Sequence, residues 1–340
     1  MNFEKNISLK EYSTFHIGGI AEYFAVCSNE KDLREVIRYA SSENIEWRVI
    51  GSGSNILFAD NFVSGLTIKN EIEGISHTVS KEGVILRAGA GVLLDECVAY
   101  ACREGWWGLE NLSAIPGTVG ATPIQNVGAY GVEVADIIDS VFVYDAVQDA
   151  FIHLSAKECR FGYRDSLFKR ESGRYVILAV SFRLSTHSSP RLHYKDLQQA
   201  YGDTDLAALT PQNIRDGVIK IREKKFPDWH VLGTLGSFFK NPIISRTSFE
   251  TLQESYPDIV GHEVIGTATV KVSLGWILDR VCGLRGFREG NVGTYEAQAL
   301  VVVNYGEATA HEVLLFAEKI ANSVKEKTKI EIEKEIRFIK

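Results

Sequence analysis

The chain lacks a hydrophobic run that could cross a membrane and lacks a cysteine pattern that predicts disulfides. Nowhere in its 340 residues does an apolar run reach transmembrane length, and the N-terminal stretch contains no apolar run of signal-peptide length. The five cysteines are scattered and include no C-x-x-C pair. We therefore expect a cytoplasmic protein in which the cysteines are small, buried apolar residues.

Clusters of positive charge and metal-binding spacings are also missing. The chain has 37 basic and 44 acidic residues, with both signs interspersed and a net charge of −7. A nucleic-acid surface needs a clustered basic face, so we expect neither a nucleic-acid partner nor a membrane partner. The eight histidines include no H-E-x-x-H spacing, and we predict no metal site.

Two common nucleotide-binding motifs fail at the glycine-rich loop G-S-G-S-N, residues 51–55. A Rossmann fingerprint would need a third glycine where Ile56 stands, and the residues that follow do not open a helix. A P-loop would need a Gly-Lys-Ser or Gly-Lys-Thr ending. This segment alone is as compatible with a hairpin turn as with a ligand-binding loop.

The most informative stretch of the sequence runs from Asn111 to Gly131. It contains four glycines, two prolines and no charged residue. Breakers at this density exclude a regular helix or a central strand, and a solvated loop of this length should carry charge. We predict irregular backbone that stays largely buried. It is either a cradle for a large, phosphate-bearing cofactor or a buried loop whose polar groups are satisfied by the protein alone.

The remaining pattern mixes helices with strands, and its length predicts two or three domains. Apolar periodicity and capping residues predict four helices, and β-rich runs predict strands between them. The predicted helices are 32–40 with Ser28 as cap, 93–103, one opened by Thr210-Pro211, and one opened by the capping box Thr309–Glu312. The predicted strands include 47–50, 84–88, 141–144, 175–180 and 330–339.

Four side chains are candidates for chemistry, and each taken singly favours a structural interpretation. Arg164, in the strand-like string F-G-Y-R-D-S, is typical of a structural ion pair. Ser237 lies between a glycine and two phenylalanines without a G-x-S-x-G elbow, which argues against an acyl-transfer nucleophile. Lys225 ends a helix, where a cation is favoured. Glu335 lies in an alternating strand, where an exposed carboxylate is expected.

The order of five motifs along the chain resembles the UDP-N-acetylenolpyruvoylglucosamine reductases, the MurB family of bacterial peptidoglycan-precursor enzymes. The resemblance covers residues 12–339, and the F-F pair with the segment around Tyr194 is similar to the type I branch, which has an extra substrate-covering loop. The motifs are G-S-G-S-N (51–55), the stretch 111–131, F-G-Y-R-D-S (161–166), G-S-F-F-K-N-P (236–242) and E-I-R-F-I (335–339).

The resemblance implies an α+β fold: a two-subdomain FAD-binding fold of the vanillyl-alcohol-oxidase/PCMH type plus a C-terminal α/β substrate-binding domain. The expected domains are a first FAD-binding subdomain (1–70, joined by the strand at 335–340), a second FAD-binding subdomain (71–205, with the Tyr194 loop) and the substrate-binding domain (206–334). It also implies a monomer.

The implied reaction reduces the enolpyruvyl ether of UDP-N-acetylenolpyruvoylglucosamine to give UDP-N-acetylmuramate. NADPH gives hydride to FAD, and the reduced flavin gives it to the methylene carbon of the substrate. Carried over by motif, Arg164 and Glu335 stabilise the charge that develops on the substrate carboxylate, with Glu335 protonated so that it can donate. Ser237 then protonates the neighbouring carbon.

The resemblance also implies the residues that hold the two ligands. Tyr163, Tyr194, Lys225 and Asn241 are expected to bind substrate, with Lys225 supplying positive charge near the diphosphate. Arg222 and Arg337 are further candidates for facing the flavin or its phosphates. The expected FAD residues are Gly51, Ser52, Gly53, Ser54, Asn55, Ser113, Pro116, Gly117, Thr118, Gly120, Ala121, Gln125, Asn126, Gly128, Ala129, Tyr130 and Gly131.

Two rival functions remain compatible with the sequence. One is another flavin oxidoreductase of the same fold, such as an oxidase, which would react with a different substrate and turn over with oxygen. The other is a noncatalytic nucleotide-binding module, against which the presence of Arg164, Ser237 and Glu335 argues.

Overall fold

The computed structural model describes residues 3–340, where helices and strands alternate along the chain. Within that range, no helix is both long enough and apolar enough to span a bilayer. The helices are α1 (Glu30–Ser42), α2 (Leu94–Arg103), α3 (Leu167–Arg170), α4 (Lys195–Tyr201), α5 (Pro211–Lys225), α6 (Arg246–Ser255), α7 (Leu274–Trp276, continued by a π-helical turn over Ile277–Val281) and α8 (Ala310–Thr328).

The strands are short in the second half of the chain and longer in the first. They are β1 (Glu4–Ser8), β2 (Ile20–Cys27), β3 (Trp47–Ile50), β4 (Ile56–Phe58), β5 (Phe62–Asn70), β6 (Ile75–Ser80), β7 (Gly83–Gly89), β8 (Gly128–Ala129), β9 (Val132–Glu133), β10 (Ile138–Asp145), β11 (Ala150–Ser155), β12 (Tyr175–Leu184), β13 (Gly233–Ser237), β14 (Ile243–Ser245), β15 (Gly261–Glu263), β16 (Thr269–Val272), β17 (Arg288–Glu289), β18 (Val292–Thr294), β19 (Val301–Asn304) and β20 (Arg337–Ile339).

The chain divides into two compact units. The first contains residues up to 7 together with 21–52 and 64–223, and the second contains 8–20, 53–63 and 224–340. Both units are therefore built from segments that are distant in sequence.

The first unit contains a four-stranded sheet in the order β1-β2-β5-β3 and helix α1. The helix forms where the sequence predicts it because Leu33, Ile37 and Ala40 fall on one buried face. Its predicted cap, Ser28, is wrong by one position. The side chain of Asn29 accepts the N–H of Asp32, and that bond is what begins the helix.

A second sheet of the first unit has the strand order β11-β10-β12-β7-β6, with every neighbouring pair antiparallel. Its apolar face packs with α2, where Cys97 and Val98 are fully buried. This arrangement brings the end of β7 and the start of α2 to the residues around 117–120, which matters for the site.

The second unit has its own core, centred on Phe238, Phe239 and the apolar face of α8. The predicted capping box is confirmed, because the Thr309 side chain accepts the N–H of Glu312 while the Glu312 carboxylate accepts the N–H of Thr309. The carboxylate of Asp60 also accepts the N–H groups of Ala310 and His311, at 2.5 and 3.1 Å. Free N–H groups at this helix end are thus satisfied by side chains.

The C-terminal strand is shorter than predicted. Only Arg337–Ile339 is a strand, and it pairs in parallel with β4, Phe338 opposite Leu57. The preceding residues instead meet the segment after β13, where Lys240 N–H bonds to Glu333 O and Glu335 N–H to Phe238 O. The segment 330–339 therefore changes partner midway, which its alternating pattern does not reveal.

The two units do not follow the predicted domain boundaries. The segment 53–63 belongs to the second unit because its strand β4 pairs with β20. Helix α5 belongs to the first unit up to residue 223 because Ile214 and Val218 pack in one apolar cluster with Trp107 and Tyr130. The assignment of cofactor and substrate binding to three domains stays a prediction.

Candidate cofactor and active site

The stretch 111–131 is irregular and buried, as its composition predicts. The helical structure in this stretch is limited to two short 3₁₀ turns, Glu110–Leu112 at its start and Val119–Ala121. The polar residues Asn111, Ser113 and Thr118 are all at most 3% exposed. Because the stretch carries no charged side chain, burying it requires partners mainly for its own N–H and C=O groups.

Main-chain hydrogen bonds fix the middle of this stretch against the corner between β7 and α2. The N–H of Gly120 donates to Ala90 O at 2.9 Å, and the N–H of Val119 donates to Val92 O at 2.8 Å. The Gly117 carbonyl accepts the N–H of Leu94 at 3.0 Å. A Cβ on Gly120 would lie 2.5 Å from the Cβ of Ala90, so only glycine permits this approach.

Gly120→Ala should displace the stretch and weaken FAD binding. The neighbouring atoms include the Ala90 backbone at 3.0 Å, which cannot rotate away, so the cost should resemble overpacking, about 1–3 kcal/mol. The measurements are FAD content after purification and thermal stability. Gly306→Ala is the matched control, because its Cβ would meet nothing closer than 3.7 Å. Equal FAD retention in the two variants would contradict the prediction.

Ala114 is held in a left-handed conformation (φ +56°) by bonds to both of its peptide groups. Its N–H donates to Asp95 Oδ1 at 2.5 Å, and its carbonyl accepts Arg222 Nε at 3.0 Å. Asp95 also receives two hydrogen bonds from Arg215. Burial opposes charge on Asp95, but the Arg215 guanidinium and the Ala114 N–H outweigh it and lower the pKa of that carboxyl. Helices α2 and α5 together thus set the shape of the stretch.

Arg222, a candidate for facing the flavin, is also bonded to Tyr130. Burial lowers the pKa of Arg222 and raises that of Tyr130 to about 12, so the pair is a cation beside a neutral hydroxyl. Sequence reasoning did not single out Asp95, because a carboxylate in the first turn of a helix is ordinary.

Among the buried polar side-chain atoms of the first unit, Ser52 Oγ and Asn111 Oδ1 have no hydrogen-bond partner within residues 3–340. The Asn111 amide donates to Tyr130 O and Arg191 O, which leaves its oxygen as the open acceptor. Gly51 approaches Thr118 so closely that a Cβ there would lie 2.3 Å from Thr118 Oγ1. Unsatisfied buried groups beside close-packed glycines are what a polar, ring-bearing cofactor would complete. The residues present therefore fit FAD.

Arg164 lies in a tight turn, so the strand-like context predicted for it is wrong. Gly162 and Asp165 exchange two backbone hydrogen bonds, of 2.9 and 3.2 Å, and Arg164 adopts φ +52° between them. Its guanidinium donates to Asn126 O (3.3 Å) and Gly128 O (3.2 Å). The neighbouring carboxylate, Asp165, pairs with Arg170.

The side chain of Asn126 supports this turn. The amide donates to Glu133 Oε2 at 2.6 Å and to Gly162 O at 3.0 Å, and the side-chain oxygen accepts the N–H of Ala135 at 3.0 Å. The side chain thereby ties the end of the glycine-rich stretch to the arginine turn. Arg164 is thus held by backbone that the composition alone identified as irregular.

The tyrosines predicted to bind substrate lie on the same unit. Tyr163 stacks beside Arg164, with the guanidinium carbon 5.8 Å from the ring centre. Tyr194 precedes α4 and contacts Tyr130 edge to face, with ring centres 5.2 Å apart. Because Tyr194 is 42% exposed, part of its surface is available to a ligand.

The second unit brings together three motifs that are far apart in sequence. The N–H of Glu335 donates to Phe238 O at 2.8 Å, and Phe238 directly follows Ser237 in the sequence. The amide of Asn55 donates to Glu335 O at 3.3 Å, and Asn55 O accepts Arg337 N–H at 3.0 Å. Parts of the motifs 51–55, 236–242 and 335–339 thus meet at one edge of this unit.

The second unit also contains the predicted residues Asn241, Lys225, Gly53 and Ser54. Asn241 uses its side-chain oxygen to accept the N–H of Leu274 at 3.0 Å, at the start of α7, and keeps its amide group for other contacts. Lys225 is the last residue of α5 and is half-buried. Gly53 (φ +67°) and Ser54 precede Asn55, and a Cβ on Gly53 would lie 1.9 Å from Tyr12 O.

The remaining predicted FAD residues all lie in the first unit, at varied depth. Ala121 and Gly131 are exposed, and Tyr130 with Gly131 forms the turn between β8 and β9, both with positive φ. The others are partly buried: Pro116, Gln125, Gly128 and Ala129.

Comparison with known proteins gives the same assignment over the whole chain. A domain family described as "FAD binding domain" matches residues 21–149, and "UDP-N-acetylenolpyruvoylglucosamine reductase, C-terminal domain" matches 228–339. The UDP-N-acetylenolpyruvoylglucosamine reductase of Pseudomonas aeruginosa is 39% identical over 98% of each chain. That of Neisseria meningitidis serogroup A is 40% identical over 96% of this chain and 94% of the relative.

A solved structure is similar over its full length. The UDP-N-acetylenolpyruvylglucosamine reductase of Thermus caldophilus covers 100% of both chains with a TM-score of 0.68 and 25% identity. The α+β fold with an FAD-binding portion and a separate C-terminal domain is thereby confirmed. The fold and the site define an FAD-binding flavoprotein. More specifically, the chain belongs to the UDP-N-acetylenolpyruvoylglucosamine reductase family.

Proposed function

We propose that this protein uses NADPH to reduce the enolpyruvyl ether of UDP-N-acetylenolpyruvoylglucosamine, forming UDP-N-acetylmuramate for peptidoglycan synthesis. The observation that carries this proposal is the 39% identity to the Pseudomonas reductase across 98% of both chains. Similarity of that extent includes both the FAD-binding and the C-terminal regions. We extend the proposal to a monomer that works in the cytoplasm, following the same family resemblance.

The cofactor is proposed to lie along the stretch 111–131. When bound, FAD accepts hydride from NADPH and supplies it to the methylene carbon of the enolpyruvyl group. Ser52 Oγ and Asn111 Oδ1 would satisfy polar groups of the cofactor, and the close-packed glycines would let backbone approach it. The neutral hydroxyl of Tyr130 and the buried guanidinium of Arg222 would lie along the same stretch.

Arg164 is proposed to bind the carboxylate of the substrate. Hydride addition to the methylene carbon leaves negative charge on the neighbouring carbon, and this charge is shared with the carboxylate oxygens as an enolate. A fixed guanidinium stabilises that charge more than it stabilises the starting carboxylate, and such differential stabilisation lowers the barrier. The two carbonyl groups that hold Arg164 orient the guanidinium before substrate arrives.

Ser237 and Glu335 are proposed to complete the reaction. Glu335 stabilises the charge that develops on the substrate carboxylate, as the resemblance implies, and Ser237 transfers its hydroxyl proton to the carbanionic carbon, which forms the new C–H bond. The resulting alkoxide takes a proton from solvent, so the net reaction consumes one hydride and one proton. The support for these roles is the main-chain contact between Glu335 and Phe238, beside Ser237.

Three further residues are proposed to hold the nucleotide part of the substrate. Lys225 supplies positive charge near the diphosphate, which a chain of net charge −7 must provide locally. Asn241 has its amide N–H groups for hydrogen bonding, since its oxygen is used at α7. The exposed ring of Tyr194 covers the uridine nucleotide.

A visible spectrum and anaerobic NADPH titration of the purified protein test the proposal. We expect a yellow protein whose flavin is bleached by NADPH and reoxidised by UDP-N-acetylenolpyruvoylglucosamine, with UDP-N-acetylmuramate as product. Rapid reoxidation by oxygen without this substrate would favour an oxidase. A colourless protein that takes up no added FAD would overturn the proposal.

A further inference from the structure

Helix α5 has a glycine in its interior where helix propensity argues against one. Gly217 is buried, at the seventh of fifteen positions in the helix. Glycine there costs backbone entropy and offers no side chain to pack. The reason lies outside the helix: a Cβ on Gly217 would lie 2.4 Å from Tyr201 Oη, 2.7 Å from Cε2 and 2.9 Å from Cζ. The Tyr201 ring therefore occupies the space that a side chain at position 217 would need.

The Tyr201 ring is fixed in that space by a hydrogen bond at its outer end. Its hydroxyl donates to Asn213 O at 2.5 Å, in the first turn of α5. Asn213 is itself fixed, because its side-chain oxygen accepts the N–H of Thr210 at 3.0 Å and the Thr210 hydroxyl at 2.8 Å. Burial raises the pKa of Tyr201, so the hydroxyl stays a donor at neutral pH. The Tyr201 side chain thus has one defined packing position on α5.

Tyr201 is the last residue of α4, and Tyr194 stands at the beginning of the same helix. The Tyr194 carbonyl accepts the N–H groups of Leu197 and Gln198, both at 2.9 Å. Leu197 is fully buried in the apolar cluster that also contains Ile214 of α5. A helix of two turns held at its far end by Tyr201 transmits any shift there directly to its first residue.

We propose that Gly217 is a positioning residue that sets the affinity for the uridine nucleotide part of the substrate. Because Gly217 leaves room for the Tyr201 ring, α4 packs closely on α5. This packing holds Tyr194 in contact with Tyr130. This inference rests on the proposed function, in which Tyr194 covers the nucleotide. Gly217 touches neither ligand and acts only through Tyr201.

The contact between Arg222 of α5 and the stretch 111–131 should not be affected by a substitution at Gly217. Arg222, which binds Ala114 O, is five residues further along, about 140° around the helix from Gly217. A methyl group at Gly217 therefore pushes on Tyr201 and not on the side that holds the stretch 111–131. This separation predicts a substrate effect without a cofactor effect.

The test compares Gly217→Ala with Lys220→Ala, an exposed position on the same helix. For Gly217→Ala we expect KM for UDP-N-acetylenolpyruvoylglucosamine and the calorimetric Kd for uridine diphosphate each to rise about tenfold. FAD content and the rate of flavin reduction by NADPH should stay unchanged, as should kcat within about twofold. A structural role alone would instead lower FAD content and stability without a selective effect on nucleotide affinity.

A second substitution asks whether the effect passes through Tyr201. Tyr201→Leu weakens the packing of α4 on α5 and removes the ring atoms that a methyl group at position 217 would meet. The double variant Tyr201→Leu/Gly217→Ala should therefore have a KM within about twofold of that of Tyr201→Leu. An unchanged KM in Gly217→Ala, or the same tenfold rise in both backgrounds, would overturn the inference. If the unsubstituted protein binds uridine diphosphate but does not turn over the substrate, the proposed function falls separately.

Discussion

Ser237→Ala is expected to abolish most turnover while leaving flavin reduction by NADPH at its normal rate. Positioned general acids contribute about 10²–10⁴-fold to rate, so overall turnover should fall by that factor. Flavin reduction precedes protonation of the substrate and does not need the hydroxyl. Stopped-flow absorbance, which separates the two half-reactions, measures both rates on one sample.

The structure gives a reason why this substitution should not disturb the backbone. Ser237 ends β13 after an irregularity at Gly236 (φ +71°), which the Thr234 hydroxyl stabilises by accepting the Gly236 N–H at 3.1 Å and donating to Val302 O at 2.9 Å. The following Phe238 is fully buried in the core of the second unit. None of these interactions involves the Ser237 hydroxyl.

Ser245→Ala is the control for loss of a serine hydroxyl in the same unit. Ser245 caps α6 by accepting the N–H of Ser248 at 3.1 Å. Its loss should cost about 1 kcal/mol of stability and leave both half-reactions unchanged. If Ser237→Ala slowed flavin reduction as much as turnover, Ser237 would be structural and the assigned role wrong.

Local chemistry made several features of this protein predictable. The Thr309–Glu312 box identifies the start of α8 because the bonds it forms are between neighbours in sequence. The stretch 111–131 could be predicted as buried and irregular because no regular element tolerates its glycines and prolines without charge. Both inferences concern interactions that lie within one short segment.

Features that depend on distant partners could not be predicted in the same way. The guanidinium of Arg164 is bound by the carbonyl groups of Asn126 and Gly128, and nothing in F-G-Y-R-D-S encodes those partners. The strand predicted over 330–339 is interrupted because Glu335 bonds to Phe238. Alternation of polar and apolar residues reports burial but not the identity of the neighbouring strand.

The roles of the individual site residues rest on motif resemblance, and the structure adds the contacts that make them testable. Ser237 and Glu335 could be selected only because five motifs occur in order along the chain. Asp95, which shapes the glycine-rich stretch by binding Ala114 N–H, carries no such motif signal. Its importance comes from a left-handed alanine, which composition cannot show.

Arg164→Lys should lower turnover about 10²–10³-fold, although it keeps the positive charge. The guanidinium is held by two carbonyl groups, at 3.3 and 3.2 Å, through different nitrogens. A lysine ammonium cannot make that paired contact and still present donors to a planar carboxylate, so the charge would be present but misplaced. Because both residues bear a Cβ, the strain of the φ +52° backbone is nearly the same in the two proteins.

Arg170→Lys, in the same local structure, separates this effect from general electrostatics. Arg170 is paired with Asp165 at the surface, where an ion pair contributes little, and its replacement should change turnover by less than about twofold. For Arg164→Lys, flavin reduction by NADPH should be normal and the loss should fall on reoxidation by substrate. A loss confined to KM would mean that Arg164 binds the substrate and its charged intermediate equally well, and its proposed catalytic role would then be wrong.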